Sequence, residues 1–180
     1  MHVSVHEDVW KVLRYYSEVV QVIPWALPGH LPNDPESRSQ FLHTETWQRR
    51  RLEVLPYNHC LYDNMKTFNF VIPLDVDEII FPISDANWTG LLDRVLYKQH
   101  ALLDTVASFA AQNVYFFNHW DLKETHNNSY QSFFRMNFRS GNFSAPGHSV
   151  KSFVNTRVAR SVFNHYALGN KNYYTLSLTY

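Results

Sequence analysis

The sequence predicts an α/β fold in which helices cover both faces of a mainly parallel sheet, a three-layer α/β/α sandwich. Helix-period and strand-like segments alternate over the first two thirds of the chain, which is typical of such layered folds. Two of the strand-like segments are nearly continuous apolar runs, as expected for strands that are buried on both faces. The 180 residues suit one domain of ordinary size, and we expect residues 1–180 to form a single domain.

The first elements follow from apolar spacing and from turn residues. Residues 5–19 carry apolar side chains three and four positions apart and predict an amphipathic helix. Residues 20–25 are rich in β-branched side chains and predict a short strand. The proline-rich residues 26–43 predict a loop. A second helix is predicted from about residue 44 to about residue 66.

The later elements complete the alternation. Residues 68–74 predict a buried strand, residues 88–112 a helix and residues 114–118 a second buried strand. Beyond residue 120, glycine, serine and asparagine become frequent up to residue 151. Shorter strand-like runs then follow, at residues 150–155, 161–168 and 173–178.

Composition excludes several classes of protein. Sixteen basic and sixteen acidic residues give a formal net charge of zero, which argues against a nucleic-acid-binding protein. One cysteine cannot form an internal disulfide. The chain contains no apolar stretch long enough to span a membrane and no secretion signal. Triplets for N-glycosylation nevertheless begin at Asn87, Asn127 and Asn142, so we expect a secretory-pathway protein whose N-terminal segment is absent from this chain.

A cluster of acidic residues follows the first predicted buried strand. Asp75, Asp77 and Glu78 stand within four positions at the carboxyl end of that strand, where open α/β sheets bind their ligands. Carboxylates this close repel one another unless a positive charge lies among them, and Mg²⁺ or Mn²⁺ is the usual partner for oxygen ligands. The sequence therefore predicts a divalent metal site, with a solvated acidic turn as the alternative.

Two enzyme classes place an Asp-x-Asp motif after such a strand. In GT-A glycosyltransferases the motif holds a metal and a nucleotide-sugar, and in haloacid-dehalogenase-like phosphatases its first aspartate is the nucleophile. The phosphatases carry the motif near the N-terminus and a second acidic pair after a later strand. Here the later strand ends in the sequence NHWD at residues 118–121. This sequence contains no acidic pair, which favours the glycosyltransferase interpretation.

Longer segments resemble glycosyltransferase family 92 over about residues 5–170. The resemblance rests on VIPWALP at 22–28, YNHCLYDN at 57–64, FVIPLDVDEIIFP at 70–82, WTGLL at 88–92, HSVKSFV at 148–154 and NH at 164–165. It implies a Golgi-lumen GT-A enzyme, anchored by an N-terminal membrane helix, that moves galactose from UDP-galactose to a glycan with inversion and with Mn²⁺. By the same resemblance, Asp75 and Asp77 form the metal and nucleotide-sugar motif, and His165 is the third protein ligand of the metal.

The chain departs from the family pattern in two places. Asn58-His59-Cys60 stands where the family usually has Asn-Asp-Cys. The resemblance also begins after the family's first strand and its uridine-binding loop. We therefore expect a sheet without its first nucleotide-binding strand, and a membrane attachment made only through an N-terminal anchor that this chain lacks.

The remaining candidate residues each have a structural alternative. Lys151 is placed to neutralise a nucleotide-sugar diphosphate or to remain a solvated lysine. Asp121 and Glu124 are candidates for the catalytic base that takes the acceptor's proton, with a helix cap or a surface ion pair as the alternative. Trp120 is a candidate acceptor-binding residue, since its ring would lie against a sugar, or else a core residue.

Together with the metal site that the acidic residues predict, the resemblance implies a metal-dependent inverting glycosyltransferase, with a UDP-sugar donor and a glycan acceptor as its partners. A second hypothesis is a non-catalytic carbohydrate-binding protein on a degenerate GT-A fold.

Overall fold

A computed structural model describes residues 5–97, 103–117, 138–168 and 174–178. The chain divides into two compact units, Met1–His59 and Cys60–Tyr180. The organisation of residues 1–180 as a single domain stays a prediction. Among the ranges given above, no helix combines the length and the apolar character needed to cross a membrane.

The first unit is helical. Helix α1 spans Glu7–Tyr15, within the predicted residues 5–19, and buries none of its side chains. Helix α2 spans Pro35–Thr44. The prediction of a loop over residues 26–43 is therefore confirmed for residues 26–34 and wrong from residue 35 onward. The missed signal is an N-cap followed by proline: the Asp34 side chain accepts a hydrogen bond from the Ser37 amide, and Pro35 opens the first turn.

Two further predictions concern residues 20–66. Helix α3 spans Thr46–Asn64 and continues through Pro56, which confirms the second predicted helix. Residues 20–25 form no strand, because no neighbouring segment pairs with them. Leu27, Leu42 and Leu52 instead form a small core, with Leu31 and Phe41 packed against it.

A four-stranded mixed sheet organises the second unit. Its strands are β1 (Phe70–Val71), β2 (Val106–Ala111), β5 (Lys151–Asn155) and β8 (Tyr174–Leu178). Their order in the sheet is β1-β5-β2-β8. Two antiparallel strand pairs lie outside this sheet, β3 (Phe116–Phe117) with β4 (Phe138–Arg139), and β6 (Ser161–Val162) with β7 (Ala167–Leu168).

The expectation of a mainly parallel sheet is wrong. Strand β5 pairs antiparallel with both β1 and β2, and within the described sheet only the β2–β8 pair is parallel. The reason is the placement of β5, which comes from the loop-rich part of the sequence and inserts between β1 and β2. The structure therefore shows a mixed α/β fold, and the GT-A sandwich stays a prediction.

The predicted helix over residues 88–112 splits into a helix and a strand. Helix α4 spans Trp88–Leu96, and β2 begins at Val106. Every residue of β2 is buried, and a short apolar run that is buried on all sides does not reveal its period. Pairing with β5 and β8 overrides the helical tendency of its three alanines.

The core of the second unit lies between α4 and the sheet. Leu91 and Leu96 of α4 pack with Phe109 of β2 and Phe153 of β5. Both phenylalanines are fully buried, and burial of such a side chain stabilises the fold by about 1.5–3 kcal/mol. Strands β1 and β5 are antiparallel, with Phe70 opposite Asn155. The C-terminal end of β1 and the N-terminal end of β5 therefore lie at the same end of the sheet.

Candidate functional site

The acidic residues form a tight turn at that end of the sheet. Ile72 and Leu74 pack against the core and fix the chain as far as Asp75. The Glu78 amide then donates to the Asp75 carbonyl over 3.1 Å, and the Asp75 amide donates to the Glu78 carboxylate over 3.1 Å. Val76, at the tip, is fully exposed. We call residues 75–78 the acidic turn.

A buried lysine lies directly under the acidic turn. Lys151 is the first residue of β5, and only 6% of its side chain is exposed. Its ammonium lies 2.9 Å from Asp75 Oδ2 and 2.9 Å from Glu78 Oε2. It also donates to the backbone oxygen of Asn164 over 3.3 Å and to the Asn164 side-chain oxygen. The structure therefore brings Lys151 together with Asp75.

The lysine sets the charge state of the first aspartate. Partial burial by itself would raise the pKa of Asp75, but the hydrogen bond and the charge of Lys151 outweigh it. A hydrogen bond with Glu78 and the charge of His165 act in the same direction as Lys151. The pKa of Asp75 consequently lies below its usual range, and the carboxylate is ionised at neutral pH.

His165 lies in the turn between β6 and β7, and its ring is fixed by the backbone. Its Nδ1 lies 2.9 Å from the carbonyl oxygen of Val150. A carbonyl only accepts, so Nδ1 must carry a proton, and in the neutral ring Nε2 keeps its lone pair. Metal-binding histidines are commonly oriented by such a hydrogen bond from the other ring nitrogen. The Ser152 hydroxyl also donates to the His165 carbonyl, which holds this turn against β5.

Asp77 stands apart from these contacts because its side chain is exposed. Within the part of the chain that the structure describes, no three His, Cys, Asp or Glu side chains gather closely enough to hold a metal ion. Divalent cations that act on nucleotides often take only one or two carboxylates from the protein and complete their coordination with phosphates and water. The exposed carboxylates of Asp75 and Asp77 have the chemistry that a site of that kind requires.

The segment after the acidic turn is held by a tryptophan. Trp88, the first residue of α4, donates its indole N–H to the Ile80 carbonyl over 2.7 Å. Its ring also meets Phe153 edge to face, with centroids 5.9 Å apart. Ile79 and Phe81, on either side of Ile80, remain exposed. Ile80 is thus tied to the core, while Ile79 and Phe81 stay accessible to solvent.

Two residues of this site were missed as partners by the sequence analysis. Glu78 and Asn164 both contact the Lys151 ammonium, but they lie far apart from it in sequence. The sequence offered one signal for each residue. Glu78 follows Asp77 and Asn164 precedes His165, and both Asp77 and His165 are predicted metal ligands. Three other candidates, Trp120, Asp121 and Glu124, fall outside the described residues.

A cavity lies at the opposite end of β5. It has a volume of about 610 Å³ and is lined by residues that include Asn69, Thr89, Asn155 and Arg157. None of the predicted site residues lines it. The acidic turn and this cavity are therefore separate features at the two ends of the same strand.

Comparison with known proteins gives one family. The family model described as glycosyltransferase family 92 matches residues 2–179, a range that includes the acidic turn, Lys151 and His165. No curated protein and no solved structure gives a significant match to the chain.

Proposed function

Since this chain belongs to glycosyltransferase family 92, we propose that it forms the donor-binding part of a metal-dependent, inverting galactosyltransferase. The family supports glycosyltransferase activity with a sugar donor and an acceptor as substrates. The finer proposal is transfer of galactose from UDP-galactose to a glycan with Mn²⁺. The observation that carries it is the acidic turn, in which the Asp75 carboxylate is ionised at neutral pH and the charge of His165 helps to lower the Asp75 pKa.

The same proposal includes a GT-A-like three-layer architecture. Strands β1 and β2 both run antiparallel to β5 and therefore run in the same direction as each other. Helix α4, which connects them, packs on the sheet through Leu91 and Leu96. A strand, a covering helix and a second strand of the same direction form the unit from which nucleotide-binding sheets are built.

The proposed mechanism assigns a part to each side chain. Asp75, Asp77 and His165 would hold the metal, which supplies positive charge to the departing diphosphate. Lys151 adds positive charge beneath the turn. The sugar C1–O bond to UDP breaks while an acceptor hydroxyl bonds to C1 from the opposite face. A carboxylate, Asp121 or Glu124, takes the hydroxyl proton, and Trp120 offers a flat surface to the acceptor.

Asp77→Asn tests this proposal. The substitution keeps the size of the side chain and removes one exposed carboxylate, so transfer with UDP-galactose and Mn²⁺ should fall by about a hundredfold or more. Asp93→Asn, on the exposed side of α4, is the matched control and should be unaffected. Normal activity of the Asp77 variant in the presence of Mn²⁺ would overturn the metal assignment.

The binding hypothesis remains the alternative, because Lys151 already neutralises part of the acidic turn without a metal. Calorimetry separates the two functions. The enzyme should release heat with UDP in the presence of Mn²⁺. Heat with a glycan alone, and none with UDP, would instead indicate a non-catalytic carbohydrate-binding protein.

We also propose that the protein works in the Golgi lumen, held to the membrane by an N-terminal anchor. Two of the glycosylation triplets support passage through the secretory pathway, because Asn87 and Asn142 are both exposed. Asn142 lies on a bend, whereas Asn87 caps α4 through its side-chain oxygen. Expression in a secretory host should add a glycan at Asn142, seen as a glycosidase-sensitive mass that Asn142→Gln removes. Secreted protein without that mass would contradict this localisation.

A further inference from the structure

The hydrogen-bonding capacity of Lys151 is already used within the protein. An ammonium group has three N–H donors. The Lys151 ammonium faces four oxygen atoms, one each from Asp75 and Glu78 and two from Asn164. All three donors are therefore engaged, and none is left over for a phosphate oxygen.

Burial separates the lysine from its carboxylate partners. Only 6% of the Lys151 side chain is exposed, compared with 46% for Asp75 and 33% for Glu78. A ligand that approaches from solvent would meet the carboxylates before the ammonium. The backbone of Lys151 is also fixed, since it pairs with Ala111 in the centre of the sheet.

The charges around the turn match one divalent ion. The acidic turn carries three carboxylates, and the Lys151 ammonium compensates one of them. The remaining formal charge of −2 equals the charge that one divalent cation neutralises. Without the lysine, three carboxylates within four residues would repel one another.

Building on the proposed function, we propose that Lys151 is a positioning residue, a built-in counter-cation that shapes the acidic turn and does not itself contact the donor. By holding Asp75 and Glu78, it leaves Asp77 exposed to a metal-bound diphosphate. It also competes with the metal for the Asp75 carboxylate, which keeps the site from binding a cation tightly before the nucleotide arrives.

Three variants test this role in the whole chain. Lys151→Met keeps much of the shape and removes the charge, while Lys151→Arg keeps the charge and changes the shape. Lys66→Met, at an exposed lysine, is the matched control. Hydrogen exchange of the Asp75 and Glu78 amides is measured without ligand, and Mn²⁺ is titrated alone with paramagnetic resonance detection of the free ion.

The charge role predicts a specific pattern. Lys151→Met should speed exchange of the two turn amides by about tenfold, because the carboxylates are then no longer held together. Lys151→Arg should restore slow exchange, and Lys66→Met should change nothing. The affinity for Mn²⁺ alone should rise by about tenfold in Lys151→Met, because a nearby positive charge has been removed.

Two results would overturn the proposal. Unchanged exchange in Lys151→Met would show that the lysine does not hold the turn. Unchanged or weaker binding of Mn²⁺ alone, together with weaker binding of Mn²⁺-UDP, would show that the lysine contacts the phosphates. Should Lys151→Met not fold, Glu78→Gln keeps an acceptor for the Asp75 amide and removes one charged partner of the ammonium. Unchanged turn exchange in that variant would also overturn the proposal.

Hydrogen exchange of the turn amides and the titration with Mn²⁺ alone do not depend on donor binding. If the wild-type chain binds no UDP in the presence of Mn²⁺, the proposed transferase function fails. Exchange of the turn amides without ligand still decides whether Lys151 positions the turn.

Discussion

The two ends of strand β5 each carry a buried polar side chain, but they use it differently. At one end Asn155, fully buried, donates to the carbonyl oxygens of Leu103 and Val106 over 2.8 and 3.0 Å. Its side-chain oxygen accepts from the Arg157 amide. At the other end Lys151 holds the carboxylates of Asp75 and Glu78.

The difference lies in the partners. The Asn155 partners are backbone groups, and its hydrogen bond to the Val106 carbonyl is buried, where water cannot replace it. The Lys151 partners are partly exposed carboxylates, which water or a cation can also satisfy. The Asn155 side chain therefore has a structural role, whereas the carboxylates held by Lys151 are able to respond to a ligand.

The largest effect on stability is expected for Phe153, which lies in the core between the two ends of β5. Phe153→Ala would leave a cavity under Trp88 and should lower the free energy of unfolding by about 3–5 kcal/mol. Phe68→Ala, at a phenylalanine that is 56% exposed, is the matched control and should change it by less than about 0.5 kcal/mol. Urea denaturation measures both, and similar values would show that the assigned core is wrong.

Asn155→Ala should give the next largest effect. It leaves two carbonyls and one amide without their partner, so unfolding should become easier by about 2–3 kcal/mol. Lys151→Met should destabilise the fold less, because Asp75 and Glu78 regain water. The same denaturation experiment compares them, and a larger loss at Lys151 than at Asn155 would reverse the contrast drawn between the two ends.

A pH dependence should be confined to the charged end. Because the folded-state pKa of Asp75 lies below its unfolded value of about 3.9, its contribution to stability is fully present above that value. The contribution is lost as the pH falls below about 4 and through the folded pKa. Asp75→Asn should remove this part of the pH dependence of unfolding. An unchanged dependence would show that Asp75 gains nothing from Lys151.

The smallest effect concerns the thiol in the last turns of α3, remote in sequence from both ends of β5. Partial burial raises the pKa of Cys60, the charge of Asp63 raises it further, and a hydrogen bond from Asn64 opposes them. Alkylation of Cys60 should therefore require a higher pH than alkylation of a free cysteine. Asp63→Asn should lower the midpoint of that pH profile, and a midpoint that does not move would exclude the charge as a cause.

Local patterns in the sequence predicted the elements whose signals are local. Helix α3 lies where helix start signals predicted it, and strand β5 lies where a short strand-like run predicted it. The acidic turn after β1 could be predicted because the apolar run and the carboxylates that end it lie within one segment. Helix α2 had an equally local signal in Asp34 and Pro35 that was not used.

Contacts between distant segments were beyond the reach of the same reasoning. Nothing near residue 151 indicates that β5 inserts between β1 and β2, because that position is decided by packing against strands that lie far away in sequence. The positive charge expected among the carboxylates was assigned to a metal. The structure places the ammonium of Lys151 there, some 75 residues further along the chain.

The insertion of β5 also constrains how the protein is made. The pairing of Phe70 with Asn155 joins segments that leave the ribosome far apart in time. Until Lys151–Asn155 has been synthesised, β1 and β2 have no strand between them and expose unpaired edges. Such distant pairings form slowly, so these edges of the nascent chain remain open to aggregation until residues 151–155 emerge.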